Sequence, residues 1–402
     1  MPVDNTKGIT YLDNNATTRP DQDLLNELVL LIQNDQLQWG NPSSIHLQSR
    51  EPKNILRETR KLFAEIFHCQ ATEIIFNSGA SEGNNTVLKS VWQTLGSTKN
   101  EFLISQVEHP SVIKTAEYIQ SLGAVIKWIP VNRKGQIDLE FIKNNISDKT
   151  ALVSVMFANN ETGTLFPIAA ISKIAKEHSV LLHVDCVQAL GKENLNLQEL
   201  KIDYATFSGH KFYALKGCGV LFVRRGSPFV NLIHGGGQER GRRGGTENVL
   251  ALWSLQQMLP LLKRLEIKNT EVRELRDHFE MNIQNKISGV TITASEGLRL
   301  ANTSSLVIQD VDGETLLMSL DLKGFAVSTG AACSSGNPEP SPVLLSMGLS
   351  REEAQSSLRV SLGWHTTLEE VDSFISALVE VVERIRKIKA ETEEKEKKSH
   401  AG

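Results

Sequence analysis

The amino-acid sequence predicts an α/β protein, with a mainly parallel sheet that is covered by helices on both faces. From about Glu73 onward, the strand candidates EIIFNSG, EFLISQVEH and ALVSVMFA are each followed by a helical pattern, and this alternation is typical of parallel sheets. The next runs, VLLHVD, DYATFSG and GVLFVR, are apolar on both faces. Strands of this kind lie between two layers of helices, so both faces of the sheet are expected to be buried.

A second, smaller domain of the α+β type is expected after about Met258. There the pattern changes to long helical periodicity up to Ile283, followed by the strand candidates NTSSLVI and FAVST and by a closing helix. Thr367 and Glu370 have the spacing of a capping box, and an apolar stripe follows them: Val371, Phe374, Ile375, Leu378, Val382 and Ile385. We therefore predict a large domain at 16–257, a small domain made of 1–15 and 258–388, and a charged, frayed or disordered tail at 389–402.

The composition excludes several classes of function. The 402 residues contain 43 Lys and Arg against 47 Asp and Glu, a net charge of −4, so no global basic excess attracts nucleic acid or an anionic membrane. The cysteines form no CxxC pair, which predicts neither a disulfide framework nor a zinc site. With no signal-like start and no apolar run of roughly 18 residues, we expect a cytoplasmic protein without nucleic-acid or membrane partners.

The segment FNSGASEGNN has the form of a phosphate-binding turn. An apolar strand ends at Phe76 and a helix begins near Glu82. Gly79, Ala80 and Ser81 therefore lie where free backbone amides and the helix dipole favour an anion. Because the segment lacks the complete GxGxxG or Walker spacing, a plain tight turn remains the alternative.

Polar residues also follow the strand candidate in HVDCVQALGK. His183 and Asp185 lie on one face of this short strand, and Gln188 lies just beyond its carboxyl end, where α/β sheets bind ligands. Asp185 could balance a buried cationic ring nitrogen and Gln188 could bond a ring substituent, or Asp185 could simply cap the next helix. Cys186 points to the opposite face, so we expect no metal site here.

A lysine follows the next strand, in YATFSGHKFYALKGCG. Lys211 comes directly after Ser208, Gly209 and His210 at the carboxyl end of this strand, and a desolvated lysine there can act as a Schiff-base nucleophile. The alternatives are an ordinary solvated lysine, or Lys216 in the same role. A phosphate-binding turn, a carboxylate, a glutamine and a lysine at the strand ends of one sheet are the parts that a pyridoxal phosphate site requires.

Three later features have two interpretations each. The glycine-rich, basic segment at 234–248 is either a mobile surface loop or an anion-binding loop at an active site or subunit boundary. Cys333 lies among small residues in STGAACSSG, as either a reactive thiol in a flexible loop or an inert buried cysteine. Arg359 could bind a substrate carboxylate with its forked guanidinium, or make a structural ion pair.

Taken in order, these motifs resemble those of the pyridoxal-phosphate-dependent cysteine desulfurases of the NifS/IscS type, in the class V aminotransferase family. The resemblance runs from Tyr11 to about the closing helix and is carried by YLDNNATT, GNPSSIH, SGASEGNN, VEHPSV, ANNETGTLFPI, HVDCVQALGK, SGHK, GGGQERGRRGGTEN and STGAACSSGNPEPS. It implies the aspartate-aminotransferase fold (fold type I), with pyridoxal 5'-phosphate as cofactor. It also implies a homodimer with shared sites, a sulfur-acceptor protein such as an iron–sulfur scaffold, and transient iron–sulfur ligation with that partner through Cys333.

The resemblance also implies the roles of individual residues. Lys211 carries the cofactor as a Schiff base, and Cys333 attacks the sulfur of L-cysteine to give a persulfide and L-alanine. Because a thiol is mostly protonated at neutral pH, Cys333 needs a proton acceptor, such as His109 or the substrate complex. Arg359, with Asn15, holds the substrate carboxylate.

The cofactor-binding residues implied by the resemblance surround a ring and a phosphate. They are Gly79, Ala80, Ser81, His109, Asn160, Asp185, Gln188, Ser208, His210, Lys211 and, from the neighbouring subunit, Thr246. In this set Asp185 faces the pyridine nitrogen, His109 stacks on the ring, and Gln188 with Asn160 holds the ring oxygen. Ser81 stands where threonine is usual in the family, a change that keeps the hydroxyl.

Four other functions remain open from the sequence. Selenocysteine lyase and an aminotransferase of the same fold share the cofactor site. An idle paralogue that acts as a scaffold is disfavoured because Lys211 and Cys333 are both present. RNA binding through the loop from Arg240 to Arg243 is disfavoured because a single basic, glycine-rich segment lies in an acidic chain.

Overall fold

A computed structural model describes residues 8–34, 39–329 and 339–400 of the chain. The strands are β1 (Thr10–Tyr11), β2 (Ile74–Asn77), β3 (Glu101–Ser105), β4 (Val125–Ile129), β5 (Thr150–Ser154), β6 (Leu181–Asp185), β7 (Tyr204–Ser208), β8 (Gly219–Val223), β9 (Val290–Ile292), β10 (Thr303–Ile308), β11 (Phe325–Ala326) and β12 (Ser357–Ser361). The helices are α1 (Gln22–Gln33), α2 (Arg50–Ile66), α3 (Ala80–Leu95), α4 (Pro110–Ser121), α5 (Leu139–Asn145), α6 (Ile168–Glu177), α7 (Gln238–Gly241), α8 (Val249–Met258), α9 (Leu265–Lys286), α10 (Gly313–Leu322), α11 (Pro342–Ser346), α12 (Arg351–Gln355) and α13 (Leu368–His400).

The main sheet has seven strands in the order β2-β8-β7-β6-β5-β3-β4. The pairs β4–β3, β3–β5, β5–β6 and β6–β7 are parallel. The strand β8 runs antiparallel to both of its neighbours, β7 and β2. The predicted α/β class with a mainly parallel sheet is therefore confirmed, with the reversal confined to one end of the sheet.

Both faces of this sheet are buried, as the apolar runs predicted. In β3, Phe102 and Ile104 pack in a cluster with side chains of α3 and α4. Leu103, between them in sequence, points the other way into the largest core cluster. The alternation follows from the pleat of a strand, which sends successive side chains to opposite faces.

A second core surrounds an antiparallel sheet with the order β12-β10-β9. Both ends of the chain contribute to it, because Leu12 packs in this core and β1 pairs in parallel with β11. The capping box of the closing helix forms as predicted, since the Thr367 backbone N–H donates to Glu370 and the Glu370 N–H donates back to the Thr367 hydroxyl. The apolar stripe of α13 packs into the same core.

The charged end of the chain continues the helix α13 to His400. The described side chains after Ile388 are exposed, so this part of the helix has no packed face. Lys, Glu and Ala are strong helix formers, and this composition accounts for the helix. The low hydrophobicity predicted a frayed helix or disorder here, and the fraying stays a prediction. The division into domains at 16–257 and 258–388 stays a prediction. In the part of the chain that the structure describes, no helix is long and apolar enough to cross a membrane.

Candidate active site

One cavity of about 360 Å³ lies at the carboxyl ends of β6 and β7, beside the first turn of α3. Eleven of the residues predicted from the sequence line it: Asn15, Ala80, Ser81, His109, Asn160, Asp185, Gln188, Ser208, His210, Lys211 and Arg359. They converge because parallel strands present their carboxyl ends along one edge of the sheet, which is where ligands bind in this class of fold.

The carboxylate of Asp185 is buried at the end of β6. One oxygen accepts a hydrogen bond of 3.0 Å from the Val187 backbone N–H, which is the local bond expected of a capping residue. The other accepts a bond of 2.8 Å from the Asn84 side chain. The adjacent Cys186 lies in the main core on the opposite face of the strand, as the alternation predicted. Within the described ranges, no three His, Cys, Asp or Glu side chains gather as a metal site needs.

The amine of Lys211 donates to the backbone carbonyls of Asn15 at 2.5 Å and of Ala16 at 2.6 Å. Burial and the positive charge of Arg359 lower the pKa of Lys211 from 10.5 to about 8. A neutral, nucleophilic amine is therefore accessible near neutral pH. Lys216, the competing candidate, is exposed on the surface.

The predicted phosphate-binding turn lies where α3 approaches β7. A Cβ added to Gly83 would come within 2.8 Å of Thr206, so glycine at this position permits the close contact between the helix and the strand. The backbone N–H of Ala80 donates to the Ser208 hydroxyl at 2.9 Å. Other N–H groups of the first turn of an α-helix have no partner within the helix, and this arrangement favours a phosphate.

His210 borders the same turn on the side of the N-terminal segment. Its Nδ1 lies 3.0 Å from the Thr17 hydroxyl. Burial and the nearby charge of Lys211 lower the pKa of His210 to about 4. The imidazole is therefore neutral at physiological pH, and it can serve the site as a hydrogen-bonding group.

His109 lies at the N-terminus of α4 and lines the cavity. Its Nδ1 accepts a hydrogen bond from the Ser111 backbone N–H at 3.1 Å and lies 2.8 Å from the Ser111 hydroxyl. Burial lowers the pKa of His109, with opposing effects from Asp185, which raises it, and Lys211, which lowers it.

The side chain of Asn15 is fully engaged with other protein groups. Its Nδ2 donates to the Asn160 carbonyl at 3.1 Å and to the Thr303 hydroxyl at 2.8 Å. Its Oδ1 accepts from Lys192 at 2.9 Å and from Asn302 at 3.0 Å. An amide has two donors and one acceptor oxygen, so in this arrangement Asn15 shapes the wall of the cavity. Its contact with a substrate carboxylate stays a prediction.

A buried lysine connects Asn15 to Gln188. The Lys192 amine donates to the Gln188 Oε1 at 2.5 Å, while the Gln188 Nε2 donates to the Asn15 carbonyl at 3.0 Å. Lys192 thus fixes which end of the Gln188 amide is oxygen and which is nitrogen. Burial, together with the charges of Lys211 and Arg359, holds the pKa of Lys192 well below its usual value.

Arg359 combines the two interpretations that the sequence left open. One terminal nitrogen makes an ion pair of 2.6 Å with Asp13, and the other donates to the Asn160 carbonyl at 3.1 Å. Its buried Nε has no hydrogen-bond partner among the described residues. Since the guanidinium also lines the cavity, it is held in place by protein groups and still has a donor to offer to an anion.

Three predicted residues lie outside this cavity. Gly79 precedes it as the N-cap of α3. Thr246 lines a separate cavity of about 310 Å³ together with the exposed Trp39. Cys333 lies outside the described residues.

Several residues that hold the site in place were missed by the sequence analysis. Asn84 and Thr206 position Asp185, because Asn84 donates to the carboxylate and accepts a bond of 2.6 Å from the Thr206 hydroxyl. Ser111 positions His109. Asn84 and Ser111 lie inside the quoted motifs SGASEGNN and VEHPSV, and Asn84 comes one helical turn after Ala80. These motifs do not show which side chains Asn84 and Ser111 contact.

Two further carboxyl groups lie near the cavity, the buried Glu108 and the half-buried Glu161. Burial and the charge of Asp185 raise the pKa of Glu108 well above its usual value, while its Oε1 accepts a bond of 2.5 Å from the Met156 backbone. Burial raises the pKa of Glu161 to about 7, and this carboxyl accepts a hydrogen bond from Ser341.

The residues present fit pyridoxal phosphate. The first turn of α3 with Ser208 offers donors to a phosphate, and Asp185 offers a carboxylate to a cationic ring nitrogen. Lys211 supplies an amine with a lowered pKa in the same cavity. The donor set therefore matches the phosphate, the ring and the aldehyde of this cofactor.

Comparisons with known proteins agree with this donor set. The family model described as Aminotransferase class-V matches residues 10–374. The chain is 39% identical to a cysteine desulfurase of Nostoc sp., and the alignment covers 94% of each protein. It is 37% identical to the cysteine desulfurase NifS of Azotobacter vinelandii, again over 94% of each. A solved structure of a NifS-like protein superposes with a TM-score of 0.86 at 35% identity, covering 93% of this chain and 99% of that one.

The chain belongs to the class V aminotransferase family, and the resemblance inferred from the motifs is confirmed. It is an enzyme of the pyridoxal-phosphate-dependent class. The relatives do not favour selenocysteine lyase or an aminotransferase as its activity.

Proposed function

We propose that this chain is a cysteine desulfurase that converts L-cysteine to L-alanine and holds the sulfur as a persulfide on Cys333. The observation that carries the proposal is the convergence of Lys211, Asp185 and Arg359 on one cavity. The cysteine desulfurases to which the chain is 36–39% identical support the choice of substrate.

The residues of the cavity divide into groups that bind the cofactor and groups that act on the substrate. When bound, pyridoxal phosphate supplies an electron sink joined to the α-carbon of the amino acid. Asp185 keeps a proton on the pyridine nitrogen, and Asn84 holds Asp185 in place. Gln188 directs its amide to the ring oxygen, while Ser81, Ser208 and His210 bind the phosphate.

Lys211 and Arg359 act on the substrate itself. Because the pKa of Lys211 is about 8, its amine exists in both protonation states near neutral pH. It can therefore take a proton from the α-carbon and return it. Arg359, fixed by Asp13, binds the α-carboxylate and aligns the substrate in the cavity.

The sulfur is transferred by nucleophilic attack of Cys333. Its thiolate attacks the Sγ of the substrate, so that an S–S bond forms while the Cβ–Sγ bond breaks. The electron pair left on the three-carbon product takes up protons to give alanine. The persulfide then passes to a sulfur-acceptor protein, such as an iron–sulfur scaffold, and transient iron–sulfur ligation through Cys333 belongs to the same proposal.

A homodimer is part of the proposal, and the surface near Thr246 supports it. Three large apolar side chains at 39–47 are exposed: Trp39 by 61%, Ile45 by 99% and Leu47 by 63%. Trp39 lines the same cavity as Thr246. A second copy of the chain would cover these side chains and bring Thr246 to the cofactor phosphate of its partner.

The cellular setting of the enzyme follows from its chemistry. The three cysteines that the structure describes, Cys69, Cys186 and Cys218, are free thiols. Free thiols are typical of a compartment that keeps cysteine reduced, and we propose the cytoplasm as that compartment.

The experiment that tests the activity measures sulfide and alanine released from L-cysteine in the presence of a reductant. The wild type is compared with Cys333→Ala. Cys69→Ala serves as the matched control, because Cys69 is half-buried and distant in sequence from Cys333. All three proteins are first shown to bind the cofactor. The wild type and Cys69→Ala are expected to release both products in equal amounts, and Cys333→Ala almost none.

Two results would contradict the proposed activity or its nucleophile, and a third would contradict the proposed dimer. If the cofactor-loaded wild type releases neither product from L-cysteine, the activity is wrong, and selenide release from L-selenocysteine identifies the lyase instead. If Cys333→Ala retains full activity, the nucleophile is wrong. A monomer in analytical ultracentrifugation would contradict the dimer, whereas an Ile45→Asp variant is expected to dissociate it.

A further inference from the structure

We propose that Asn84 and Ser111 fix the tautomer of His109, so that the neutral ring carries its proton on Nε2 and presents an N–H donor to the cavity. Both are positioning residues, since they act through His109. The assignment follows from the polarity of a chain of hydrogen bonds that begins at Asp185.

The first step is the orientation of the Asn84 amide. The Asp185 oxygen that lies 2.8 Å from Asn84 belongs to a carboxylate, which accepts hydrogen bonds and donates none when ionised. The amide atom that faces it is therefore the nitrogen. The Asn84 oxygen consequently faces Thr206, whose hydroxyl donates to it at 2.6 Å.

The second step is the polarity of the Ser111 hydroxyl. The remaining N–H of the Asn84 amide donates to the Ser111 Oγ at 2.9 Å. Because Oγ accepts this bond, its own proton is free to point along the 2.8 Å contact to Nδ1 of His109.

The third step is independent of the first two. The backbone N–H of Ser111 also points at Nδ1 of His109, at 3.1 Å. A backbone N–H can only donate, so Nδ1 must accept. Two donors therefore meet at Nδ1, and the single proton of the neutral ring is on Nε2.

Desolvation in the cavity, rather than the surrounding charges, favours the neutral ring of His109. Burial lowers the pKa of His109, and the Lys211 ammonium lowers it as well, while Asp185 acts in the opposite direction. Protonation of the ring would also place an N–H on Nδ1, directly opposite the N–H of Ser111. The hydrogen bonds and the burial thus favour the same neutral form.

The tautomer changes the role of His109 in the reaction, and this part of the inference rests on the proposed function. Because Nδ1 is hydrogen-bonded to Ser111, only Nε2 can interact with a ligand in the cavity, and Nε2 already holds a proton. His109 then donates a hydrogen bond to a developing negative charge, such as the substrate sulfur. It is not the base that removes the proton from Cys333, contrary to what the sequence suggested.

The test is a nitrogen NMR measurement of the histidine tautomer in the cofactor-loaded protein. The protein is labelled with ¹⁵N at its ten histidines, and the His109 signals are identified by their loss in His109→Gln. In the wild type, Nδ1 is expected to show the shift of an unprotonated ring nitrogen and Nε2 that of a protonated one. This readout does not depend on turnover of cysteine, so it separates this inference from the proposed activity.

Three variants show whether the hydroxyl is the cause. Ser111→Ala removes one of the two donors to Nδ1, which is expected to shift the tautomer ratio by about fivefold toward the Nδ1–H form. Ser111→Thr keeps the hydroxyl and should retain the wild-type ratio. Thr115→Val is the matched control, because the Thr115 hydroxyl donates to the Ser111 carbonyl on the same helix and to no other group among the described residues.

Several results would overturn the inference. A wild-type His109 with its proton on Nδ1 would contradict the whole hydrogen-bond assignment. An unchanged ratio in Ser111→Ala would remove the role of the hydroxyl. If Thr115→Val shifted the ratio as much as Ser111→Ala, a distortion of α4 would be the cause.

Discussion

The lowered pKa of Lys211 predicts a measurable gain in its reactivity toward aldehydes. Reductive methylation by formaldehyde, applied to the cofactor-free protein, reports the fraction of each lysine that is neutral. Because the pKa of Lys211 falls from 10.5 to about 8, its labelling is expected to rise with pH and to level off above about pH 8. An ordinary lysine continues to gain reactivity up to about pH 10.

The size of the effect follows from the two pKa values. At pH 7, an amine with a pKa of about 8 is roughly 9% neutral, whereas one with a pKa of 10.5 is about 0.03% neutral, a difference of about 300-fold.

The same pKa shift of Lys211 has a consequence for the stability of the fold. Since the folded-state pKa lies below the unfolded value, the free energy of unfolding is expected to rise with pH between about 8 and 10.5 as the Lys211 ammonium loses its proton.

The assay compares two lysines in one protein. Labelling of Lys211 and of the exposed Lys216 is quantified by peptide mass spectrometry across a pH series. The midpoint of each pH profile is compared, because the absolute rates also depend on how easily formaldehyde reaches each amine. Arg359→Gln, which removes the nearby positive charge, is expected to raise the midpoint of Lys211. If Lys211 and Lys216 titrate together, the burial argument for Lys211 is wrong.

Three further predictions concern contacts around the site. Thr206→Val removes the donor to the buried Asn84 oxygen and should lower the free energy of unfolding in urea by about 1–3 kcal/mol; an unchanged midpoint would contradict it. Tyr213→Phe leaves the Trp364 backbone N–H without its 2.7 Å partner and should lower the free energy of unfolding by about 1–3 kcal/mol in the same assay; equal stability of variant and wild type would contradict this prediction. In Arg359→Lys, a single amine cannot both pair with Asp13 and bind the substrate carboxylate, so the KM for L-cysteine should rise by about tenfold or more. An unchanged KM would show that Arg359 does not bind the substrate.

The sequence could predict that Asp185 and Lys211 lie near each other, because both positions follow a simple rule. Asp185 and Lys211 each come at the carboxyl end of a buried strand. Adjacent parallel strands bring such residues together whatever the rest of the fold does. The confirmed fold class rests on the same periodicity, since apolar residues on both faces of a strand require helices on both sides.

The supporting contacts could not be predicted, because they depend on the packing of elements that are distant in sequence. Asn84 and Asp185 are about 100 residues apart, and their contact exists because α3 packs across the end of β6. Nothing in the sequence around Lys192 distinguishes it from a surface lysine, yet its side chain is buried against Asn15. The antiparallel direction of β8 is likewise invisible in its apolar pattern, which is the same for either direction.

The order of synthesis also separates the two halves of the site. Every residue that lines the cavity, apart from Arg359, has been made once the chain reaches Lys211, and the main sheet is complete at Val223. The second core closes much later, because β1 has to wait for its partner β11 near the other end of the chain. Arg359 is the last residue of the cavity to be made. On the ribosome, Asp185 and Lys211 therefore emerge well before Arg359, which completes the cavity.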